Sequence, residues 1–311
     1  MTSLFKQLSI KLKMNEHALK QFTATSPNRY KVYEIPKRNG KGNRTIAQPA
    51  KAVKLIQREM LKLLEPVIIP HSAATAYENG SSIKENASKH VHNSFILKMD
   101  FEDFFPSIKP VDFLQRLTRE KIGYELDDHE LSLLGQLFFW RPKRGEDLCL
   151  SIGAPSSPKI SNYVMKDFDA RVHSLCEDKG IAYTRYADDL CFSTADKGIL
   201  RELENDLHTL VASLDSPKLR INKAKTVHSS KKHNRHVTGL TLTNDGEISL
   251  GRDRKRLISA MVYRYLITKT LLEEDVPRLR GLLNFAADVE PQFLERLCKK
   301  YKIKGPISSI F

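Results

Sequence analysis

Asp188 and Asp189 are adjacent carboxylates set between two short runs, 181–186 and 190–193, that are rich in aromatic and β-compatible residues. The pattern predicts a hairpin with the acids at its tip. Neighbouring carboxylates repel one another unless a cation lies between them, so the tip suits a divalent metal held by hard oxygen ligands. A third acid, Asp100, closes Ser94-Phe95-Ile96-Leu97-Lys98-Met99-Asp100, which reads as a largely buried strand. If both elements belong to one sheet, Asp100, Asp188 and Asp189 converge and can hold two Mg²⁺ ions ~3.5–4 Å apart. One ion would activate an attacking hydroxyl and the other would stabilise a leaving pyrophosphate oxygen. Catalysis would then rest on positioning and charge, with no general-base histidine. Phosphodiester hydrolysis, with the ions activating water, fits the same spacing.

The chain supplies its own control. Asp127-Asp128 is the same dipeptide, but it precedes Leu131, Leu133, Leu134, Leu137 and Phe138, the apolar positions of a helix expected to run to about Trp140. Capping and favourable charge at a helix N-terminus account for that pair. What separates Asp188-Asp189 is the strand-like flank on both sides and the matching setting of Asp100.

The elements that must position these acids can be read in order. Residues 3–23 predict one or two amphipathic helices. Tyr30, Val32, Tyr33 and Ile35, a basic glycine-bearing turn (36–43) and Arg44-Thr45-Ile46 predict two joined strands. Lys37 and Arg44 there either flank a triphosphate or line a solvated hairpin. Helices are expected over 52–64 and 83–89, and Pro110 opens another through Leu117. Phe101, Phe104 and Phe105 gather around a turn after Asp100. Gly153-Ala154-Pro155-Ser156-Ser157-Pro158 predicts a rigid turn feeding one helix over 159–176, with small residues that let a backbone or flat ligand approach. A helix follows over 198–214. Residues 237–242 and 248–250, joined by Asn244-Asp245-Gly246, suggest another hairpin. Periodic segments over 257–272, 276–287 and 291–301 give a helical C-terminal lobe.

Lys and Arg total 51 against 37 acidic residues in 311, a formal charge of +14. That excess points to a polyanion, nucleic acid before membrane, since no stretch has the length and apolarity of a spanning helix. Residues 218–236 carry seven Lys or Arg and no acid, which phosphate contacts explain better than a solvated face does. The C-terminal lobe holds 13 Lys or Arg against 7 Asp or Glu and opens with Arg252, Arg254, Lys255 and Arg256, as suits gripping a duplex. The start of the chain lacks a signal-peptide apolar run, and the expected location is the cytoplasm. Cys149, Cys176, Cys191 and Cys298 are scattered without metal-ligand or disulfide-framework spacing.

Taken together, Tyr186-Ala187-Asp188-Asp189 resembles the catalytic box of reverse transcriptases. The remaining signals come in that family's order: Lys37 and Arg44, Asp100 with Phe104-Phe105-Pro106, Gly153 through Pro158, Asn222 through Thr226, and Val237-Thr238-Gly239. The chain is similar more narrowly to the bacterial retron enzymes, through Asn86-Ala87-Ser88-Lys89-His90 and the Val-Thr-Gly box. The resemblance runs from about residue 25 to the end.

It implies an α+β right-hand polymerase: an N-terminal helical segment (1–25), fingers (26–93, with 110–148 inserted), a palm (94–109 and 149–250) and a small helical thumb (251–311). It implies that Asp100, Asp188 and Asp189 bind two Mg²⁺ ions, and that Lys37, Arg44, Phe105 and Lys225 bind the deoxynucleoside triphosphate. Phe105 would act as a steric gate against a ribose 2′-hydroxyl. Gly153, Ala154, Pro155, Ser156 and Tyr186 would meet template and primer. Asn86, His90, Lys231, Lys232, Arg235, Val237, Thr238, Gly239, Arg252, Arg254, Lys255 and Arg256 would recognise RNA.

The implied partners are a cognate structured noncoding RNA, its RNA–DNA product and a separate effector protein. The implied activity is priming from an internal guanosine 2′-hydroxyl to give a branched RNA–DNA molecule, in defence against phage. In one place the chain departs from the family. Leu150-Ser151-Ile152-Gly153 stands where Leu-Pro-Gln-Gly is usual, so Ile152 replaces a glutamine amide expected near the incoming nucleotide. A nucleic-acid scaffold that keeps the polymerase shape without the chemistry is the alternative, and the three acids argue against it.

Overall fold

The computed structural model describes all residues except 1, 2, 38, 39, 41, 121–123, 125, 304 and 311. Arg38, Asn39 and Lys41 of the expected basic turn lie outside the described residues. Ser3 and Asn15 cap α1 (Leu4–Leu12) and α2 (Glu16–Ala24), each side-chain oxygen accepting a first-turn amide. An antiparallel hairpin follows, β1 (Tyr30–Pro36) and β2 (Asn43–Pro49), registered from Tyr30↔Pro49 to Pro36↔Asn43 and exposed over most of its length. Then come α3 (Lys51–Leu64), α4 (Ile83–Ser88), β3 (Phe95–Asp100), the single turn α5 (Phe104–Ser107), α6 (Pro110–Arg119) and α7 (Asp128–Phe138).

The segment expected as one helix over 159–176 is two, α8 (Ser157–Val164) and α9 (Lys166–Glu177), meeting at Met165. The break allows Asn162 and Asp169 to reach the same buried arginine, Arg185. Next come β4 (Ala182–Tyr186), β5 (Asp189–Thr194), α10 (Ile199–Ala212) and β6 (Val227–Ser230). Strands β4-β5-β3-β6 form one antiparallel sheet. Period-two alternation divides its faces: Leu97, Met99, Leu190 and Phe192 enter the larger core, while Ile96 and Cys191 enter a second one. Asp100 and Asp189 share the parity of Ile96 and Cys191.

The single strand expected over 237–242 is also split. β7 (Arg235–Val237) turns back into β8 (Leu240–Leu242) through Thr238-Gly239, with β9 (Ile248–Ser249) on the far side. Both turn residues have positive φ, 46° and 79°, the backbone that two-residue hairpin loops favour. Three helices complete the chain: α11 (Arg252–Tyr263), α12 (Val276–Val289) and α13 (Pro291–Tyr301). The helix expected to continue to 272 ends at Tyr263 and widens into a π-helical turn over Arg264–Thr268. The second core joins these helices to the small sheet and α4. Among the described residues no helix is long and apolar enough to cross a membrane.

Candidate active site

Asp100 ends β3 directly opposite Asp189, the first residue of β5, so the two side chains leave the same face of the sheet. Asp188 occupies the two-residue turn between β4 and β5, and its carbonyl accepts the Phe101 amide at 3.2 Å. The three aspartates are thereby brought to one end of the sheet. Ala187, the other turn residue, is buried and has φ 59°, a left-handed conformation that costs a non-glycine residue energy and must be held by its surroundings.

The charges at this end are unbalanced. Asp100 is 3 % exposed, and burial raises its carboxyl above the usual range despite hydrogen bonds from Lys225 Nζ to both oxygens, at 3.0 and 2.6 Å. Asp189 is pushed up to about 6, first by desolvation and then by Asp188 and Asp100. Desolvation pulls the Lys225 ammonium down, but its bonds to Asp100 and the charges of all three aspartates outweigh that and raise it. The donor chemistry fits a divalent cation: hard oxygens whose mutual repulsion a metal would relieve. Among the described residues, however, no three His, Cys, Asp or Glu side chains form a ready-made metal cage. Both Asp100 oxygens face Lys225, whose half-exposed side chain can give way.

A buried clamp holds the turn, and sequence reasoning missed it. Arg185 is fully buried and binds Asp169 in bidentate fashion (Nε–Oδ1 2.8 Å, Nη2–Oδ2 2.6 Å). Its Nη1 donates to the Ala187 carbonyl at 3.0 Å and to Asn162 Oδ1 at 3.1 Å, and the Tyr183 hydroxyl donates to Asp169 at 2.8 Å. The available signal was a charged residue inside an otherwise uncharged strand, which demands a buried partner.

The expected RNA-recognition residues divide sharply. His90 is fully buried between Ser193 and Thr184, with 2.7 Å hydrogen bonds at each ring nitrogen, and burial drives it down to about 3, so it is neutral. Asn86 is 1 % exposed, accepts from Thr75 at 2.9 Å and donates to Thr238 at 3.4 Å. Arg235 is buried, its guanidinium donating to the carbonyls of Val91, Asn93 and Thr243. Val237 is buried too. RNA contact by these four side chains is corrected to an internal structural role, because their polar or apolar surface is already used inside the protein.

Thr238 also donates to the Ile83 carbonyl, so the two boxes that suggested the retron resemblance meet as one joint. Lys255 is engaged by Glu290 at 3.1 Å, and Arg254 lies over the Phe285 ring. Lys231, Lys232, Gly239, Arg252 and Arg256 are exposed.

Lys37 and Arg44 stand exposed on the β1–β2 hairpin, and Arg44 acts electrostatically on Asp100. Phe105 is half-buried, edge-on to Phe104. Gly153 has φ 125°, and a Cβ there would come within 3.0 Å of the Ala47 carbonyl oxygen, so the turn and β2 require glycine for their close approach. Ala154 and Ser156 are buried, which corrects their expected contact with template or primer through side chains; Gly153, Pro155 and Tyr186 remain accessible.

Residues 35–242 match the reverse transcriptase (RNA-dependent DNA polymerase) family, and the fold and the aspartate-bearing sheet together define a template-copying polymerase. The Ec83 retron reverse transcriptase of Escherichia coli is 46 % identical over 88 % of this chain and 86 % of its own length. The Ec73 retron reverse transcriptase of the same species is 34 % identical over 89 % and 88 %. The chain belongs to the reverse transcriptase family, in its retron branch, and is an RNA-directed DNA polymerase with an RNA template. An apo telomerase structure from Candida tropicalis shares the fold at TM-score 0.51 and 10 % identity, over 88 % of this chain and 57 % of that one.

Proposed function

We propose that the chain copies part of a cognate structured noncoding RNA into DNA, yielding a branched RNA–DNA molecule (msDNA). It would do so in the cytoplasm, with a separate effector protein, as part of an anti-phage defence system. The observation that carries the catalytic part is the Asp100↔Asp189 register with Asp188 in the adjoining turn. Two Mg²⁺ ions held by these aspartates would supply activation of the attacking hydroxyl and stabilisation of the leaving pyrophosphate. In this reading the fingers are 26–93 with 110–148, the palm is 94–109 with 149–250, and the thumb is 251–311.

Lys37 and Arg44 bind the triphosphate from the fingers hairpin. Lys225 leaves Asp100 when a metal binds and turns to the pyrophosphate. Phe105 closes the sugar pocket against ribonucleotides, and Gly153, Pro155 and Tyr186 support template and primer. Lys231, Lys232, Arg252 and Arg256 contact RNA phosphates.

Primer extension by purified protein on its cognate RNA, with Mg²⁺ and deoxynucleotides, tests this. The expected result is DNA joined to RNA through a 2′-linkage, resistant to separation by denaturation alone. Extension of any primed RNA with equal efficiency and no branched product would overturn it. Phe105→Ala should raise the ratio of ribonucleotide to deoxynucleotide incorporated, and an unchanged ratio would remove the gate.

A further inference from the structure

Tyr77 combines three features found together nowhere else among the described residues around the aspartates. Its φ is 66°, in the left-handed region that a bulky side chain avoids. Its side chain is 47 % exposed instead of packed in a core. Its ring lies 6.5 Å from that of Tyr186, tilted by 34°.

The residues on either side are fixed from within. The Thr75 amide donates to the Arg185 carbonyl at 2.8 Å, and its hydroxyl donates to Asn86. Asn162 Nδ2 donates to the Ala76 carbonyl and to Glu78, both at 2.8 Å, and Lys159 binds Glu78 at 2.9 Å. The same clamp that holds the catalytic turn therefore holds this loop, and Tyr77 is the residue it turns outward.

The phenol also feels the charges of Asp188, Asp189 and Arg44; partial burial, then Asp188, raises it, so it stays protonated. Strain at a bulky side chain left half exposed is retained where that side chain has work to do on a ligand. An exposed aromatic face beside the Tyr186 ring is suited to a flat, uncharged group.

We propose that Tyr77 is a base-stacking residue, presenting its ring to a nucleobase at the polymerising end of the template–primer duplex. This rests on the polymerase reading above. Stacking on an aromatic ring tolerates any base, as template copying requires.

The test is steady-state extension and melting of Tyr77→Gly, Tyr77→Leu and Tyr77→Phe, beside wild type and Asp188→Asn/Asp189→Asn. Glycine accepts the left-handed backbone, so Tyr77→Gly should melt no lower than wild type. Its KM for primer–template should rise by about 5- to 100-fold, with kcat changed less. Tyr77→Phe should restore KM and Tyr77→Leu should not. An unchanged KM in Tyr77→Gly, a lowered melting temperature with KM intact, or leucine serving as well as phenylalanine would overturn the stacking role while leaving the polymerase reading in place. A wild-type protein that makes no DNA would overturn both.

Discussion

At Asp127-Asp128 the first carboxylate accepts the Glu130 amide at 2.7 Å and caps α7, and the second lies in the helix's first turn. Unpaired amides and the positive end of the helix dipole supply the balancing charge. At Asp188-Asp189 the same two residues sit at a hairpin turn facing Asp100, and among the described residues the only cation hydrogen-bonded to the three aspartates is Lys225. One pair is neutralised by its own backbone; the other carries a surplus of negative charge that a bound cation would relieve. A dipeptide's chemistry is thus set by the element on which it stands.

The comparison breaks most readily in activity. Asp188→Asn with Asp189→Asn should cut DNA synthesis on primed RNA by at least about 10²–10³-fold, the scale of lost transition-state electrostatics. Asp127→Asn with Asp128→Asn should leave it within about twofold, and equal losses would erase the distinction. Next in size is the anchorage that only the hairpin needs. Arg185→Leu strands the buried Asp169 carboxylate and should cost about 3–5 kcal/mol in urea unfolding, much of it recovered by adding Asp169→Leu.

The buried His90 gives a pH signature. Its folded value near 3 lies below the unfolded 6.5, so its contribution is full above 6.5 and is lost as pH falls toward 3. Stability should drop by about 2–3 kcal/mol between pH 6.5 and 4.5, a slope that His90→Asn should flatten.

The smallest effects have opposite signs at the two pairs. Asp127→Ala removes a cap and should cost about 1 kcal/mol. Asp189 is raised in the folded state, so its ionisation opposes folding above pH 6 and that cost fades as pH falls toward 4. Metal-free Asp189→Asn should therefore melt higher than wild type at pH 7.5, with the gap closing below pH 6. Saturating Mg²⁺ should reverse the order.

The acids were legible because chemistry requires particular residue types at strand ends, and alternation reveals strands. Most helices were legible from apolar spacing, down to the Asp127 cap. The clamp was not: Arg185 meets partners 16 and 23 residues away that only the break at Met165 brings together. Basic residues also carry no sign of direction. Arg235 lies in the same acid-free run as Lys231 and Lys232, yet it points inward to three carbonyls. Thr238-Gly239 between apolar residues held a turn signal, but continuous β-compatible flanks favoured a strand reading. Backbone strain at Tyr77 leaves no mark on composition or period at all.

The hydrogen bond from Asn86 to Thr238 spans 152 positions of chain. Two stretches that far apart behave as halves of one fitting, and neither can change shape alone. Either stretch moved alone into an unrelated scaffold would leave behind the groups that satisfy its own, so the fitting can be transplanted only as a pair.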